Sequence, residues 1–183
     1  MTDSNRKSLS KFLSLILRHN PTVVGITLDN KGWADIDELL TGMNRSSRAT
    51  VTFEDIQEVV ATNDKQRFVF NEDCTKIRAN QGHSVQVDVE LKEMLPPDVL
   101  YHGTPTKFVQ KIMVEGLKPQ GRLYVHLSAD TVTATKVGSR RGSPVVLTIN
   151  ALKMHEDGFV FYLSDNGVWL TKYVPADYLG YAL

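Results

Sequence analysis

The first regular pattern of hydrophobic residues lies between Ser8 and Arg18. Its apolar positions recur at intervals of three and four residues, namely at Leu9, Phe12, Leu13, Ile16 and Leu17. This spacing predicts an amphipathic helix with one face on a hydrophobic core. Pro21 prevents the helix from continuing. The helix therefore ends on the adjacent pair Arg18 and His19, although one basic residue is enough to oppose the negative end of a helix dipole.

The pattern that follows predicts two more helices. The string ITLDNKGWADIDELL indicates a short strand, a turn at DNKG and a helix from about Asp35 to Gly42. A third helix begins at Thr52, where the string TFED allows Asp55 to complete a capping box.

A β-hairpin is predicted after the third helix. The strings RFVF and TKIRA alternate as strands around the turn NED. Three helices followed by a two-stranded hairpin is the order of a winged-helix domain. Because neighbouring side chains in a strand face opposite sides, Arg67 points outward if Phe68 and Phe70 face the helices.

The second half of the chain is richer in strands. Residues 81–97 form a connector that ends in Pro96 and Pro97. After it we predict strands at VLYHGT, RLYVHLS, PVVLTINA, FVFYLS and GVWLT, and helices at TKFVQKIMVEG, closed by Gly116, and ADTVTATKVG. The pattern predicts an α+β fold with a domain at 1–80, a linker at 81–97 and a domain at 98–183.

The charge balance limits the kind of partner that the chain binds. It carries 21 basic and 21 acidic residues, and the balance also holds within residues 1–80 and 81–183. Proteins that wrap long nucleic acids are usually strongly basic. An anionic substrate must therefore be held locally, by a few converging arginines.

No apolar run approaches the roughly 20 residues of a membrane span, and the first residues lack an apolar signal region. We expect a cytoplasmic protein that does not enter a membrane, and a monomer. Cys74 is the only cysteine, which excludes an internal disulfide, and the histidines do not match a metal-binding spacing. We therefore expect no metal site.

Three short strings carry candidate chemistry. In YHGT, the glycine after His102 is costly in a strand unless a ligand or another backbone comes close. VHLS places Ser128 at the end of a strand. GSRRGSP places Arg140 and Arg141 among glycines, which suits a pyrophosphate, although a basic surface turn is an equally good interpretation. Neither a Rossmann nor a P-loop motif is present.

Taken together, these strings resemble one family. The set LRHNP, KQRF, IRANQGHS, LYHGT, GLKPQGRLYVHLSAD, VGSRRGSPVVL and NGVWLT, in this order and spacing, is similar to the RNA 2′-phosphotransferases. The resemblance covers nearly the whole chain, from about Ser8 to Pro175. It implies a winged-helix lobe followed by an ADP-ribosyltransferase-like, mixed α/β lobe.

The resemblance also implies an activity. In this family an internal RNA 2′-phosphate attacks NAD and expels nicotinamide, which leaves an RNA-2′-phospho-ADP-ribose intermediate. The ribose 2″-hydroxyl then attacks the phosphorus, giving RNA with a free 2′-hydroxyl and ADP-ribose 1″,2″-cyclic phosphate. We expect the partners to be 2′-phosphorylated RNA and NAD as a co-substrate, without a metal.

The residues that this resemblance implies fall into two sets. The essential catalytic set corresponds here to Arg18, His19, Arg67 and Arg122, and we expect it to lie in a cleft between the lobes. The residues expected to bind NAD are His102, Gly103, Thr104, His126, Ser128 and Arg140. Arg141 is not assigned a role.

The chemistry of a phosphate nucleophile agrees with this set. Many ADP-ribosyltransferases that modify proteins use a glutamate to assist the nucleophile, but NGVWLT contains none. A phosphate monoester has a second pKa of about 6 and is already mostly a dianion at neutral pH. Alignment and charge neutralisation are what it needs, and arginines supply both.

Two other functions are consistent with parts of the chain. A winged helix can bind DNA, but the first domain has no net charge and this function leaves the second domain unexplained. An ADP-ribosyltransferase acting on proteins is disfavoured by the missing glutamate. One acting on terminal phosphates of nucleic acids needs only the first of the two steps and stays open.

Overall fold

Three helices form the frame of the N-terminal part of the chain. The structure is a computed structural model that describes residues 1–46 and 50–182. The helices are α1 (Asp3–Arg18), α2 (Ile36–Ser46) and α3 (Phe53–Thr62). The first begins five residues earlier than predicted because the Thr2 side chain caps it by accepting a hydrogen bond from the Asn5 amide. The predicted capping box of Thr52 and Asp55 is confirmed.

A small antiparallel sheet packs with these helices. Its strands are β1 (Ala34–Asp35), β2 (Phe68–Phe70) and β3 (Lys76–Ala79), in the order β1-β3-β2. The predicted hairpin and its facing are confirmed, because Phe68 is buried and Phe70 packs against the same core as the helices. The strand predicted at Ile26–Leu28 is wrong. The strand instead follows the turn, where Ala34 and Asp35 pair with β3.

The contacts within the chain divide it into two units, Met1–Glu90 and Leu91–Leu183. The segment expected as a linker is shared between them. In the first unit, the Ser84 amide donates to the Arg18 carbonyl (2.8 Å) and the Asp88 amide donates to the Asn30 carbonyl (2.8 Å). In the second, β4 (Lys92–Glu93) pairs with a strand near residue 162. Backbone hydrogen bonds thus hold both ends of this segment.

Among its described residues, the second unit contains two antiparallel sheets and three α-helices. One sheet has the order β10-β7-β5 and the other has the order β4-β8-β9-β6. The strands are β5 (Val99–Pro105), β6 (Val125–Leu127), β7 (Pro144–Asn150), β8 (Phe161–Leu163), β9 (Trp169–Thr171) and β10 (Leu179–Tyr181). The helices are α4 (Thr106–Glu115), α5 (Thr131–Gly138) and α6 (Ala151–Glu156).

The predicted strands and helices of this unit are confirmed in order, whereas β4, α6 and β10 were not predicted. The α+β class is confirmed, with small antiparallel sheets and six α-helices among the described residues. Gly116 ends α4 at φ +77°, a conformation that favours glycine. Among the described residues, no helix combines the length and the apolar character that crossing a membrane requires.

Candidate functional site

Arg18 is the last residue of α1 and is only 9% exposed. Charged side chains are almost never buried to this extent without a partner or a function. Its carbonyl oxygen accepts hydrogen bonds from the amides of Ser84 (2.8 Å) and Val85 (3.4 Å). Its guanidinium carbon lies 6.0 Å from the centre of the Phe68 ring. The end of the helix is thus held by the segment that follows the hairpin.

His19 follows Arg18 and is exposed. Its ring Nδ1 lies 2.9 Å from the Ser84 hydroxyl oxygen, and this hydroxyl lies 3.4 Å from the Arg18 carbonyl oxygen. One serine therefore contacts both members of the pair. The hydrogen bond to Ser84 restricts the orientation of the imidazole. Functional side chains are commonly held in place by supporting hydrogen bonds of this kind.

The pKa of His83 is affected by the positive charges around it. It is buried, and burial, followed by the charges of Arg18, His19 and Arg78, lowers its pKa to about 4. It is therefore neutral at pH 7. The positive charges that disfavour a proton on His83 would favour a bound anion.

Arg67 lies immediately before β2. Its Nη1 donates a hydrogen bond to Asn63 Oδ1 (3.0 Å), and Asn63 Nδ2 donates to the Ser10 hydroxyl (3.2 Å). Arg67 and Ser14 line the same groove beside α1, with a volume of about 530 Å³. Ser14 is one helical turn from Arg18, and Arg18 contacts the residue that follows Arg67. Arg67 therefore lies beside α1 in a groove that extends to Ser14, and its neighbour Phe68 lies near Arg18.

The two predicted histidines of the second unit lie on neighbouring strands. His102 Nδ1 donates to the His126 carbonyl (3.1 Å), and His126 Nδ1 donates to the Tyr124 carbonyl (3.1 Å). A carbonyl only accepts, so these bonds place a proton on each Nδ1. Burial lowers the pKa of His102, and its bond to the carbonyl partly offsets this effect. His102 is neutral at pH 7, with Nε2 as a hydrogen-bond acceptor.

Ser128 is anchored through its backbone. Its amide donates to the Tyr101 carbonyl (2.8 Å) and its carbonyl accepts from the Tyr101 amide (2.9 Å). This bridge joins the end of β6 to β5. It brings Ser128 and His126 next to the strand that carries His102.

Gly103 faces helix α5. A methyl group at Gly103 would overlap the Ala134 carbonyl oxygen and lie 3.0 Å from the Gly138 amide nitrogen. A methyl group at Gly138 would lie 2.9 Å from the amide nitrogen of Thr104, which is itself buried. The strand glycine is therefore explained by the close approach of another backbone. The expectation that Gly103 and Thr104 bind NAD stays a prediction.

The three arginines of the second unit, Arg122, Arg140 and Arg141, interact electrostatically. Arg140 and Arg141 lie in a short 3-10 helix, Ser139–Arg141. Desolvation, and then the charges of Arg140 and Arg141, lower the pKa of Arg122. Arginine stays protonated even so. Positive charge concentrates here, as a polyphosphate ligand requires.

Two supporting residues were not predicted from the sequence. Ser84 holds His19 from 65 positions away, and Asn63 holds Arg67 and contacts α1. Ser84 belongs to the string IRANQGHS, which carried the resemblance, but only the fold shows what it contacts. Among the described residues, no group of three or more His, Cys, Asp or Glu side chains is arranged to hold a metal ion.

Comparison with known proteins identifies the family. The model of the RNA 2′-phosphotransferase, Tpt1 / KptA family matches residues 4–173. The chain belongs to this family. A protein of Rhodopirellula baltica named probable RNA 2′-phosphotransferase is 54% identical over 178 residues, which is 97% of this chain and 96% of that protein.

Two further relatives carry the same name. One, from Flavobacterium johnsoniae, is 51% identical over 98% of both chains. The other, from Acaryochloris marina, is 53% identical over 96% of this chain and 97% of its own. The resemblance inferred from the motifs is thus confirmed over nearly the full length of this RNA 2′-phosphotransferase family member.

Proposed function

We propose that the chain removes an internal 2′-phosphate from RNA with NAD as co-substrate. The observation that carries the proposal is the positive charge at the end of α1, where Arg18 and His19 both act on buried His83, together with Arg67 in the groove beside the same helix. A phosphate dianion is the kind of group that such a cluster binds most strongly. Membership in a family of RNA 2′-phosphotransferases supports the same substrate.

The proposed reaction has two steps. In the first, a 2′-phosphate oxygen attacks the anomeric carbon of the nicotinamide ribose, and the bond from this carbon to nicotinamide breaks. In the second, the 2″-hydroxyl of the RNA-2′-phospho-ADP-ribose attacks the phosphorus, and the bond from phosphorus to the RNA 2′-oxygen breaks. The hydroxyl proton is transferred to that oxygen. The products are nicotinamide, RNA with a 2′-hydroxyl, and ADP-ribose 1″,2″-cyclic phosphate.

The residues of the first unit supply alignment and charge. Arg18 and Arg67 are proposed to bind the phosphate oxygens, which neutralises the ground state and stabilises the charge on the transferring phosphoryl group. His19, oriented by Ser84, is proposed to hydrogen-bond the phosphate or a ribose hydroxyl. Because the phosphate is already ionised at pH 7, the first step needs no general base.

The residues of the second unit have the chemistry that NAD requires. The arginines 122, 140 and 141 are suited to its phosphates, and Arg122 is proposed to complete the catalytic set. His102, held neutral with Nε2 as acceptor, suits a ribose hydroxyl or an amide group. Gly103, Thr104, His126 and Ser128 lie on the same two strands or at their ends.

The fold is proposed to be a winged helix followed by an ADP-ribosyltransferase-like unit. The order of three helices and a hairpin, with the sheet order β1-β3-β2, supports the first assignment. In the second unit, β9 contains no glutamate; the glutamates of this unit lie in β4 (Glu93) and at the ends of α4 (Glu115) and α6 (Glu156). A reaction in which the nucleophile is already ionised is consistent with this arrangement.

The test uses an RNA oligonucleotide with one internal 2′-phosphate, with and without NAD. The wild-type chain should remove the phosphate only when NAD is present. Arg18→Ala and Arg67→Ala should lower kcat by about 10²–10³-fold, the usual effect of removing a group that stabilises transition-state charge. Arg45→Ala is the matched control, because Arg45 is an exposed arginine in the last turn of α2.

Arg18 is buried, so a loss of activity in Arg18→Ala must be separated from a loss of folding. Arg18→Lys retains a positive charge but loses the planar fork, and should also be impaired. Thermal unfolding of each variant provides the second measurement. Near-wild-type turnover in a folded Arg18→Ala or Arg67→Ala variant would contradict the proposed roles.

A further inference from the structure

A stripe of polar and basic residues runs along one face of α1 toward Arg18. Lys7, Lys11, Ser14 and Arg18 are spaced by four, three and four residues, which places them on one face of a helix. From Lys7 to Arg18 the helix rises by about 16 Å. The stripe therefore extends well beyond the space that one phosphate group occupies.

The stripe borders the groove that contains Arg67. Five basic side chains and two acidic ones line this groove of about 530 Å³; they are Arg6, Lys7, Lys11, Lys65 and Arg67, with Asp3 and Asp64. Asp3 forms an ion pair with Arg6, which also bonds Glu58 (2.8 Å). The groove is thus positive overall, although the chain as a whole has no net charge.

Lys7 and Lys11 are the two lysines that α1 contributes to this groove. Both are exposed, and within residues 1–46 and 50–182 neither forms an ion pair. The structure therefore gives these two lysines no partner that requires their charge. A row of such charges that ends at a phosphate-binding site is suited to the backbone of the same polynucleotide.

We propose that the groove beside α1 binds the RNA strand that flanks the 2′-phosphate, with Lys7 and Lys11 contacting its backbone phosphates. The proposal rests on the proposed function, since it takes the 2′-phosphate to lie at Arg18 and Arg67. It extends that function by assigning a binding surface to the rest of the substrate.

The composition of the groove indicates how strongly its binding of RNA depends on the RNA sequence. The described residues that line it include no aromatic side chain on which a base stacks. Lysine ammonium groups contact phosphates, which carry no sequence information. The groove should therefore bind unpaired RNA without a strong preference for its sequence, and binding should weaken steeply with salt.

The first test measures binding without catalysis. A labelled RNA oligonucleotide without a 2′-phosphate is titrated with the wild-type chain and with the double variant Lys7→Ala/Lys11→Ala. Binding is followed by fluorescence anisotropy. Loss of two phosphate contacts should make the slope of log affinity against log salt shallower by about 1.4. The control is Lys107→Ala/Lys111→Ala, an exposed pair with the same spacing on α4, which should leave the slope unchanged.

The second test measures turnover as a function of RNA length. For 2′-phosphorylated RNA with several flanking nucleotides, the variant at residues 7 and 11 should raise KM at least severalfold and leave kcat within about twofold, as expected for loss of uniform binding. For a minimal substrate without flanking nucleotides, KM should not change. Alanine favours helices, so α1 should form in the variant.

The outcomes separate the two proposals. If the wild-type chain does not release 2′-phosphate, the proposed function fails, while the salt slope still reports on the groove. If turnover is normal but the variant behaves as its α4 control does in both tests, the groove proposal is overturned. Tighter binding of duplex RNA than of the unpaired strand, with a larger loss in the variant, would also overturn it.

Discussion

Replacing Gly103 by alanine tests how β5 and α5 pack together. The added methyl group would lie 2.5 Å from the carbonyl carbon of Ala134 and 3.0 Å from the Gly138 amide nitrogen, and it would overlap the Ala134 oxygen. Ordinary contacts begin at 3.4 Å. All three atoms belong to the backbone of α5, so no side-chain rotation relieves the overlap. The whole helix must move away from the strand.

The expected cost follows from this geometry. Overpacking a core usually costs 1–3 kcal/mol, and a clash with the backbone falls at the upper end, at about 3 kcal/mol. For a unit of this size, such a loss lowers Tm by more than about 10 °C. Gly138→Ala should cost less, because its methyl group would lie 2.9 Å or more from its neighbours and alanine is the better helix former.

The two tryptophans allow the unit to be observed by itself. Trp33 belongs to the first unit and Trp169 to the second, and the chain contains no other. In a Trp33→Phe background, fluorescence of Trp169 reports thermal and urea unfolding of the second unit. Gly121→Ala is the control, since nothing lies within 4 Å of its added methyl group. If Gly103→Ala unfolds as Gly121→Ala does but binds NAD poorly, the packing explanation of Gly103 is refuted.

Two further predictions concern residues that support the proposed phosphate site. Ser84→Ala removes the hydrogen bond to His19, worth about 0.5–1.5 kcal/mol, and should lower kcat roughly threefold to tenfold; Ser84→Thr, which retains the hydroxyl, should restore most of it. Burial lowers the pKa of His83 to about 4, so the unfolded chain binds more protons between pH 6.5 and 4. The free energy of unfolding of the first unit should therefore fall by up to roughly 3 kcal/mol over this interval. In His83→Gln, urea titrations followed by Trp33 fluorescence should show a weaker dependence on pH; an unchanged dependence would contradict the assignment.

Much of the local structure could be predicted from the sequence, because its causes are local. The spacing of Leu9 to Leu17, the capping box at Thr52 and the glycine that ends α4 each depend on residues a few positions apart. The strand misplaced at Ile26–Leu28 shows where this reasoning ends. Ala34 and Asp35 are in a strand because they pair with Ile77 and Lys76, more than 40 positions away.

The same distinction holds for the site. Arg18 and His19 attract attention because two basic residues end a helix where one is sufficient. Their support by Ser84, and the link from Arg67 through Asn63 to α1, depend on contacts between segments that only the fold brings together. The stripe from Lys7 to Arg18 has a regular spacing, but it becomes meaningful only beside the groove that Arg67 lines.

We propose, centrally, that the chain transfers an RNA 2′-phosphate to NAD-derived ribose. The most direct measurement incubates the wild-type chain with NAD and an RNA that carries one internal 2′-phosphate, and identifies every product by mass spectrometry. We predict RNA with a free 2′-hydroxyl, nicotinamide and ADP-ribose 1″,2″-cyclic phosphate in equal amounts. A stable ADP-ribosylated RNA that is not converted further, or release of inorganic phosphate with NAD intact, would contradict this proposal.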